Sequence, residues 1–107
     1  KKEDGRIQWS RTARQIYNRM RGFTPWPGAF CSFREQTCHI WGRPGTAPAS
    51  GGQLAPGEII LFGKEVFVAS GEGTLLRLEF VQLEGRKRVT AKEFANGARL
   101  VAGDRFV

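Results

Sequence analysis

"EIILFGKEVFVASGEGTLLRLEFVQL", residues 58–83, decides the fold class. Glu58 to Phe62 and Glu65 to Ala69 are short, β-branched and aromatic runs separated by Gly63-Lys64, a two-residue turn with glycine first, which reads as a β-hairpin. Ser70 to Gly73 turns the chain again. Leu75 to Leu83 is then a longer strand, in which Leu76, Leu78 and Phe80 alternate with Arg77 and Glu79 before Val81 and Leu83 follow. A side-chain period of two that slips at Phe80-Val81 predicts a bulge or sharp bend.

The flanking segments extend this β pattern. Upstream, Ala29 to Phe33 and Cys38 to Gly42 read as a second hairpin across the polar residues Arg34 to Thr37. Arg43 to Gly57, with three prolines and four glycines, reads as a loop. Downstream, Glu84 to Arg88 turns. Thr90 and Glu93 form a T-x-x-E capping box that opens a short helix through Phe94, ended by Asn96-Gly97. Arg99 to Val107 closes the chain with a last short strand. Near the start, Ala13, Ile16, Tyr17 and Met20 fall at i, i+3, i+4 and i+7, one apolar stripe of a helix. Thr12 with Gln15 fits a capping box at its start, and Gly22 is its stop. Residues 1–8 read as polar and linker-like. The expected fold is mainly β: a small, OB-like, partly open Greek-key barrel with an N-terminal amphipathic helix and a short late helix.

Composition bounds the function. The 107 residues make one domain, with 40% hydrophobic and 25% charged residues. No run approaches the about 18 apolar residues of a membrane span, and Lys1-Lys2-Glu3-Asp4 is not followed by the apolar stretch of a secretory signal. Seventeen Lys plus Arg against ten Asp plus Glu leave a net charge of +7, which attracts polyanions. Arginine outnumbers lysine, which suits bidentate contact with phosphate. Cys31, Cys38 and the single His39 are too few and badly spaced for a structural zinc site; a disulfide fits if the two cysteines sit on paired strands, but without a secretory signal two reduced, buried thiols are expected. A Cys38–His39 nucleophile pair fails because neighbouring strand residues point to opposite faces. Gly71-Glu72-Gly73 lacks the helix and lysine of a phosphate loop. The isolated chain therefore reads as a binding module without catalytic residues. Its candidate contacts are the helix residues Arg11, Arg14, Arg19 and Arg21, the turn residues Arg86, Lys87 and Arg88, Lys64 at a hairpin tip, and Arg99. If helix and turn share one side of the barrel, they grip a phosphate backbone and read little sequence. Exposed members of the three tryptophans and eight phenylalanines could add base stacking, although most of the phenylalanines follow strand periodicity and are expected in the core.

"RGFTPWPGAF", residues 21–30, resembles the "IRAFNPWPGA" run that opens the C-terminal domain of methionyl-tRNA formyltransferases. Three further segments match in order: Val68 to Leu75 resembles "V-x-x-G-x-G-x-L", Gly85 to Phe94 resembles "GKKxMSAxDF", and Gly103 to Phe106 resembles "PGxRL". The resemblance covers residues 7–107. Gly22, Thr24 and Ala102 depart from it. It implies that residues 1–8 are the linker remnant of an N-terminal catalytic domain and residues 9–107 the tRNA-binding C-terminal barrel. The full-length enzyme would transfer formyl from 10-formyltetrahydrofolate to initiator methionyl-tRNA, with the catalytic Asn, His and Asp in the other domain. The fragment alone would be inactive. It implies a monomer in the bacterial cytoplasm or organellar matrix. Pro25, Trp26, Pro27 and Gly28 form the structural signature, and Trp26 is expected to fill a gap between helix and barrel rather than to contact a ligand. Related domains also follow formyltetrahydrofolate dehydrogenases and a sugar-nucleotide formyltransferase, where the role would be packing. The basic Gly85-Arg86-Lys87-Arg88 segment favours the tRNA enzyme.

Overall fold

The computed structural model describes residues 5–23, 29–46, 54–101 and 104–107. The elements are α1 (Ala13–Phe23), β1 (Phe30–Phe33), β2 (Gln36–Gly45), β3 (Ile59–Phe62), β4 (Glu65–Ala69), a 3₁₀ turn (Gly71–Gly73), β5 (Leu75–Leu83), β6 (Val89–Thr90) and α2 (Ala91–Ala98). The six strands form one antiparallel sheet ordered β1-β2-β5-β4-β3, with β6 paired to β5. The meander β3-β4-β5 returns beside β2 after a long connection, which is the Greek-key order. The C-terminal tail stitches the outer strands together. Arg105 bridges Glu58 just ahead of β3, and Phe106 bridges Phe33 of β1. Phe106 N donates to Gly57 O at 2.8 Å, and Ser32 and Val107 exchange two bonds of 2.9 Å. The sheet curls into the small, partly open barrel that the strand pattern predicts.

Both capping boxes form. Gln15 N donates to Thr12 Oγ1 at 3.2 Å and Thr12 N to Gln15 Oε1 at 3.0 Å. Thr90 and Glu93 exchange the equivalent pair at 3.0 and 3.1 Å. These bonds satisfy helix-start donors that would otherwise lack partners. One core runs through the barrel. Ala13, Ile16 and Met20 of α1 and Ala91 and Phe94 of α2 join Cys31, Cys38, Ile40, Val68, Leu76, Leu78 and Val81 from the sheet. Phe33, Phe94 and Phe106 meet with ring centroids 5.0 to 6.0 Å apart. Cys31 and Cys38 face each other across β1 and β2 as free, fully buried thiols. Burial, with a thiol–thiol hydrogen bond, pushes Cys31 well above the usual range.

Several boundaries differ from those read in the sequence. The first hairpin turns on two residues, Arg34 and Glu35, both at positive φ (47° and 69°), and not on the four polar residues Arg34 to Thr37. Such a turn matches the strand twist but is strained for side-chain-bearing residues. Arg34 offsets the strain. Its guanidinium forks onto Asp104 at 2.6 and 3.2 Å and donates to Ala98 O at 2.9 Å. Strand β2 runs past Gly42 to Gly45 into the expected loop. Pro44 fits there because β1 ends its pairing at His39, leaving the second edge of β2 unpaired by β1. Helix α1 passes Gly22 and reaches Phe23. Helix α2 passes Asn96-Gly97 and ends at Arg99, which takes the left-handed conformation. The bond from Arg34 to the Ala98 carbonyl holds that last turn. The two-residue strand β6 was too short for its pattern to show. Ile7 is 7% exposed and joins the core, and its N–H donates to Phe30 O at 2.8 Å. Residues 5–8 are thus part of the packed structure rather than a polar lead-in. Lys1 to Asp4 and the signature Pro25, Trp26, Pro27 and Gly28 lie outside the described residues.

The β5 irregularity is real but sits one residue earlier than the pattern suggests. Trp41 pairs with Phe80 and Gly42 with Leu78, so Glu79 has no opposing residue on β2. The bulge moves Phe80 off the core face, where strict alternation after Leu76 and Leu78 would put it, and leaves it 37% exposed.

Candidate nucleic-acid interface

All nine basic residues singled out from the sequence are exposed; those of α1 line neither of the two grooves beside α2. On α1, Arg14 and Arg21 lie nearly two turns apart on the same flank, while Arg19 lies on the opposite flank. Arg21 sits 5.5 Å over the Tyr17 ring. Arg11 precedes the helix and donates to Gln8 Oε1 at 3.0 Å. Helix α1 is fixed at its start, where Gly71 N donates to Arg11 O at 2.7 Å and Ala13 N to Thr74 Oγ1 at 2.9 Å.

The other cations gather around α2. A groove of about 310 Å³ runs between β5, β6 and α2, with Val81, Leu83, Val89 and Phe94 lining it and Arg86 and Lys87 at its edge. Arg86 is held through its backbone, donating to Leu83 O and accepting from Gln82 Nε2. On the other flank of α2, a smaller hollow of about 120 Å³ brings Lys64 of the β3–β4 turn beside Lys92 and Glu65. Lys92 was missed in the sequence; its place two residues after the Thr90 cap, exposed on an eight-residue helix, is the signal that would have found it. Neither groove takes a side chain from α1. Arg99 is at the C-terminal end of α2, where a cation suits the helix dipole. Thr90, through backbone and side-chain hydrogen bonds, and then Lys87 hold the Glu93 carboxyl below the usual carboxylate range.

Arg88 diverges from Arg86 and Lys87. It turns to the outer face of the sheet, where its guanidinium lies 4.9 Å from the Phe80 ring centroid and 5.3 Å from that of Trp41. Cys38 and His39 point to opposite faces: Cys38 is buried, while His39 is half-buried with its ring 6.2 Å from Phe30. Among the described residues no group of three or more His, Cys, Asp or Glu could hold a metal ion. No helix there is long and apolar enough to cross a membrane. The arrangement presents cations around an apolar groove.

A family model described as "Formyl transferase, C-terminal domain" matches residues 1–99. The chain belongs to this family. Among curated relatives, it is 53% identical over 107 residues to a methionyl-tRNA formyltransferase of Solibacter usitatus. It is 46% identical over 106 residues to one from Koribacter versatilis, and 44% identical over 107 residues to one from Geobacter metallireducens. Each alignment covers 99% of this chain and 33% of the relative. The chain therefore spans about a third of the length of these relatives.

Proposed function

We propose that this chain is the C-terminal, tRNA-binding barrel of a methionyl-tRNA formyltransferase that acts in translation initiation. Formyl transfer from 10-formyltetrahydrofolate to the methionyl amino group belongs to an N-terminal catalytic domain, and the barrel holds the initiator tRNA for it. The observation that carries this reading is the set of exposed cations flanking α2: Arg86 and Lys87 on one side, Lys64 and Lys92 on the other. Cations held on turns and helix ends suit phosphate contacts, which give affinity without base readout. Arg11, Arg14, Arg19 and Arg21 on and beside α1, and Arg99 after α2, add to the field that draws in a polyanion. The bacterial relatives suggest the cytoplasm as the site of action, and the protein is expected to work as a monomer.

Steady-state kinetics of the full-length enzyme test the reading. Reversing Arg86 and Lys87 to Glu is expected to raise KM for tRNA while leaving kcat unchanged. The logarithm of tRNA affinity should fall with that of salt by about 0.7 to 0.9 per phosphate contact. An unchanged KM would instead favour a packing role for the domain. That second reading has its own observation: Leu61 and Phe62 on β3 are 53% and 48% exposed, and would be covered by a neighbouring domain.

A further inference from the structure

The outer face of β1, β2 and β5 carries rings that lie outside the buried core of the barrel. Phe30, His39 and Trp41 alternate with the buried Cys31, Cys38 and Ile40. Phe80 pairs with Trp41 across the two strands, and it faces outward only because the bulge at Glu79 inserts an extra residue ahead of it. A phenylalanine in regular alternation would have continued the core row of Leu76 and Leu78. A bulge that turns a large apolar ring toward solvent re-aims a side chain rather than filling an interior.

The charge beside these rings is unusual in its partners. Arg43 on the same face is paired with Glu79 at 3.3 Å, and Arg77 with Glu65 at 3.4 Å. Arg88 has no salt bridge among the described residues. Its contacts are the faces of Trp41 and Phe80, both within the roughly 6 Å reach of a cation–π interaction. An apolar protein partner would have to bury that guanidinium without a counter-charge, at a high desolvation cost. A nucleotide supplies both complements, a π face for the rings and a phosphate for the arginine. Small barrels of this architecture bind oligonucleotides across a sheet face, and stacking on exposed aromatics tolerates any base because every base has a π face.

We propose that Trp41, Phe80 and Arg88 form a stacking site for an unpaired RNA nucleotide. The base lies on the Trp41–Phe80 pair, and Arg88, an exposed side chain, lifts from the rings to hold the adjoining phosphate. His39 and Phe30 continue the face toward the neighbouring nucleotide. The site deepens the tRNA-binding reading and rests on it. It adds a contact with unpaired bases that is separate from the phosphate contacts around α2.

Binding of the 107-residue chain to a labelled six-nucleotide oligouridine, to a short RNA duplex and to tRNA tests the proposal by fluorescence anisotropy. Phe80→Ala is expected to weaken oligouridine binding by about tenfold, with duplex affinity and salt slope unchanged. Phe80→Tyr, which keeps the ring, should bind as the wild type does. Arg88→Gln should weaken binding and reduce the salt slope by about 0.7, the value for one single-strand phosphate. Thermal melts show whether each variant is folded, and the tyrosine variant keeps the test valid if the alanine variant is not. Wild-type affinity in Phe80→Ala, or equal losses in the alanine and tyrosine variants, would overturn the stacking site. So would a Phe80→Ala full-length enzyme that loses thermal stability while keeping its RNA affinity, which would assign the rings to a protein contact. If tRNA binds the wild type and these variants alike, only the stacking site fails. If neither tRNA nor oligouridine binds the wild type at low salt, the tRNA-binding reading itself fails.

Discussion

Replacing Gly71 with alanine should detach the start of α1 from the barrel. A Cβ at this position would lie 2.0 Å from the Ser10 carbonyl oxygen and 2.9 Å from the Arg11 carbonyl carbon. Both obstacles are backbone, so no rotamer change relieves them, and the segments must separate by about 1 Å or more. That movement stretches two bonds, Gly71 N to Arg11 O at 2.7 Å and Ala13 N to Thr74 Oγ1 at 2.9 Å. Each is worth about 1 kcal/mol, and overpacking adds roughly 1–3 kcal/mol. The expected loss is about 3–5 kcal/mol. Gly73, two residues on, provides the control. Nothing lies within 4 Å of its Cβ position, but its φ is +73°, so Gly73→Ala should cost only about 1–2 kcal/mol through the left-handed conformation, and Gly73→Asn less. Urea unfolding followed by circular dichroism measures both, provided the m value stays constant. Equal costs at the two positions, or a Gly71→Ala loss below about 1 kcal/mol, would refute the close-approach reasoning.

Two further perturbations test the core and the tail. Phe94→Ala removes the ring between Phe33 and Phe106 and should cost about 3–5 kcal/mol, lowering Tm by roughly 15 °C or more; a drop of only a few degrees would show that the aromatic cluster adds little. Hydrogen bonds from Arg34 and then from Val101 N hold the Asp104 carboxyl below the usual carboxylate range. Its folded pKa is thus lower than its unfolded one, so its stabilisation is full above the ordinary carboxylate pKa and fades as pH falls through the lowered value. Asp104→Asn should therefore lower Tm at pH 7, and the gap to wild type should close on acidification below about pH 4. A gap that stays constant down to pH 2 would show that charge on Asp104 is not what fastens the tail.

The elements most legible in the sequence are those whose signals are local. The hairpin around Gly63-Lys64, the capping boxes at Thr12 and Thr90, and the amphipathic α1 are each decided by residues within a few positions of one another. They appear at or near the expected places. Boundaries fail where a distant residue intervenes. Arg34 at the first hairpin grips Asp104 and Ala98 near the other end of the chain, and that contact both tightens the hairpin and sets where α2 ends. Ile7 looked like part of a polar lead-in because its neighbours are polar; only its burial beside the barrel shows its role.

The candidate site divides in the same way. Residue type and position along the chain determined which cations are exposed, because arginine and lysine off an apolar stripe or on a turn have no place in a core. The barrel fold, two capped helices and a strongly basic surface also follow from the sequence by itself. Direction was decided by tertiary structure. Arg86, Lys87 and Arg88 are consecutive, yet two edge a groove beside α2 and the third crosses to the outer sheet face. Lys64 and Lys92 are far apart in sequence and share one hollow. One residue without a counterpart on β2, Glu79, chose the face on which Phe80 appears. A side chain's face depends on strand register and bulge position. These are fixed by pairing between distant segments, and no local pattern encodes them.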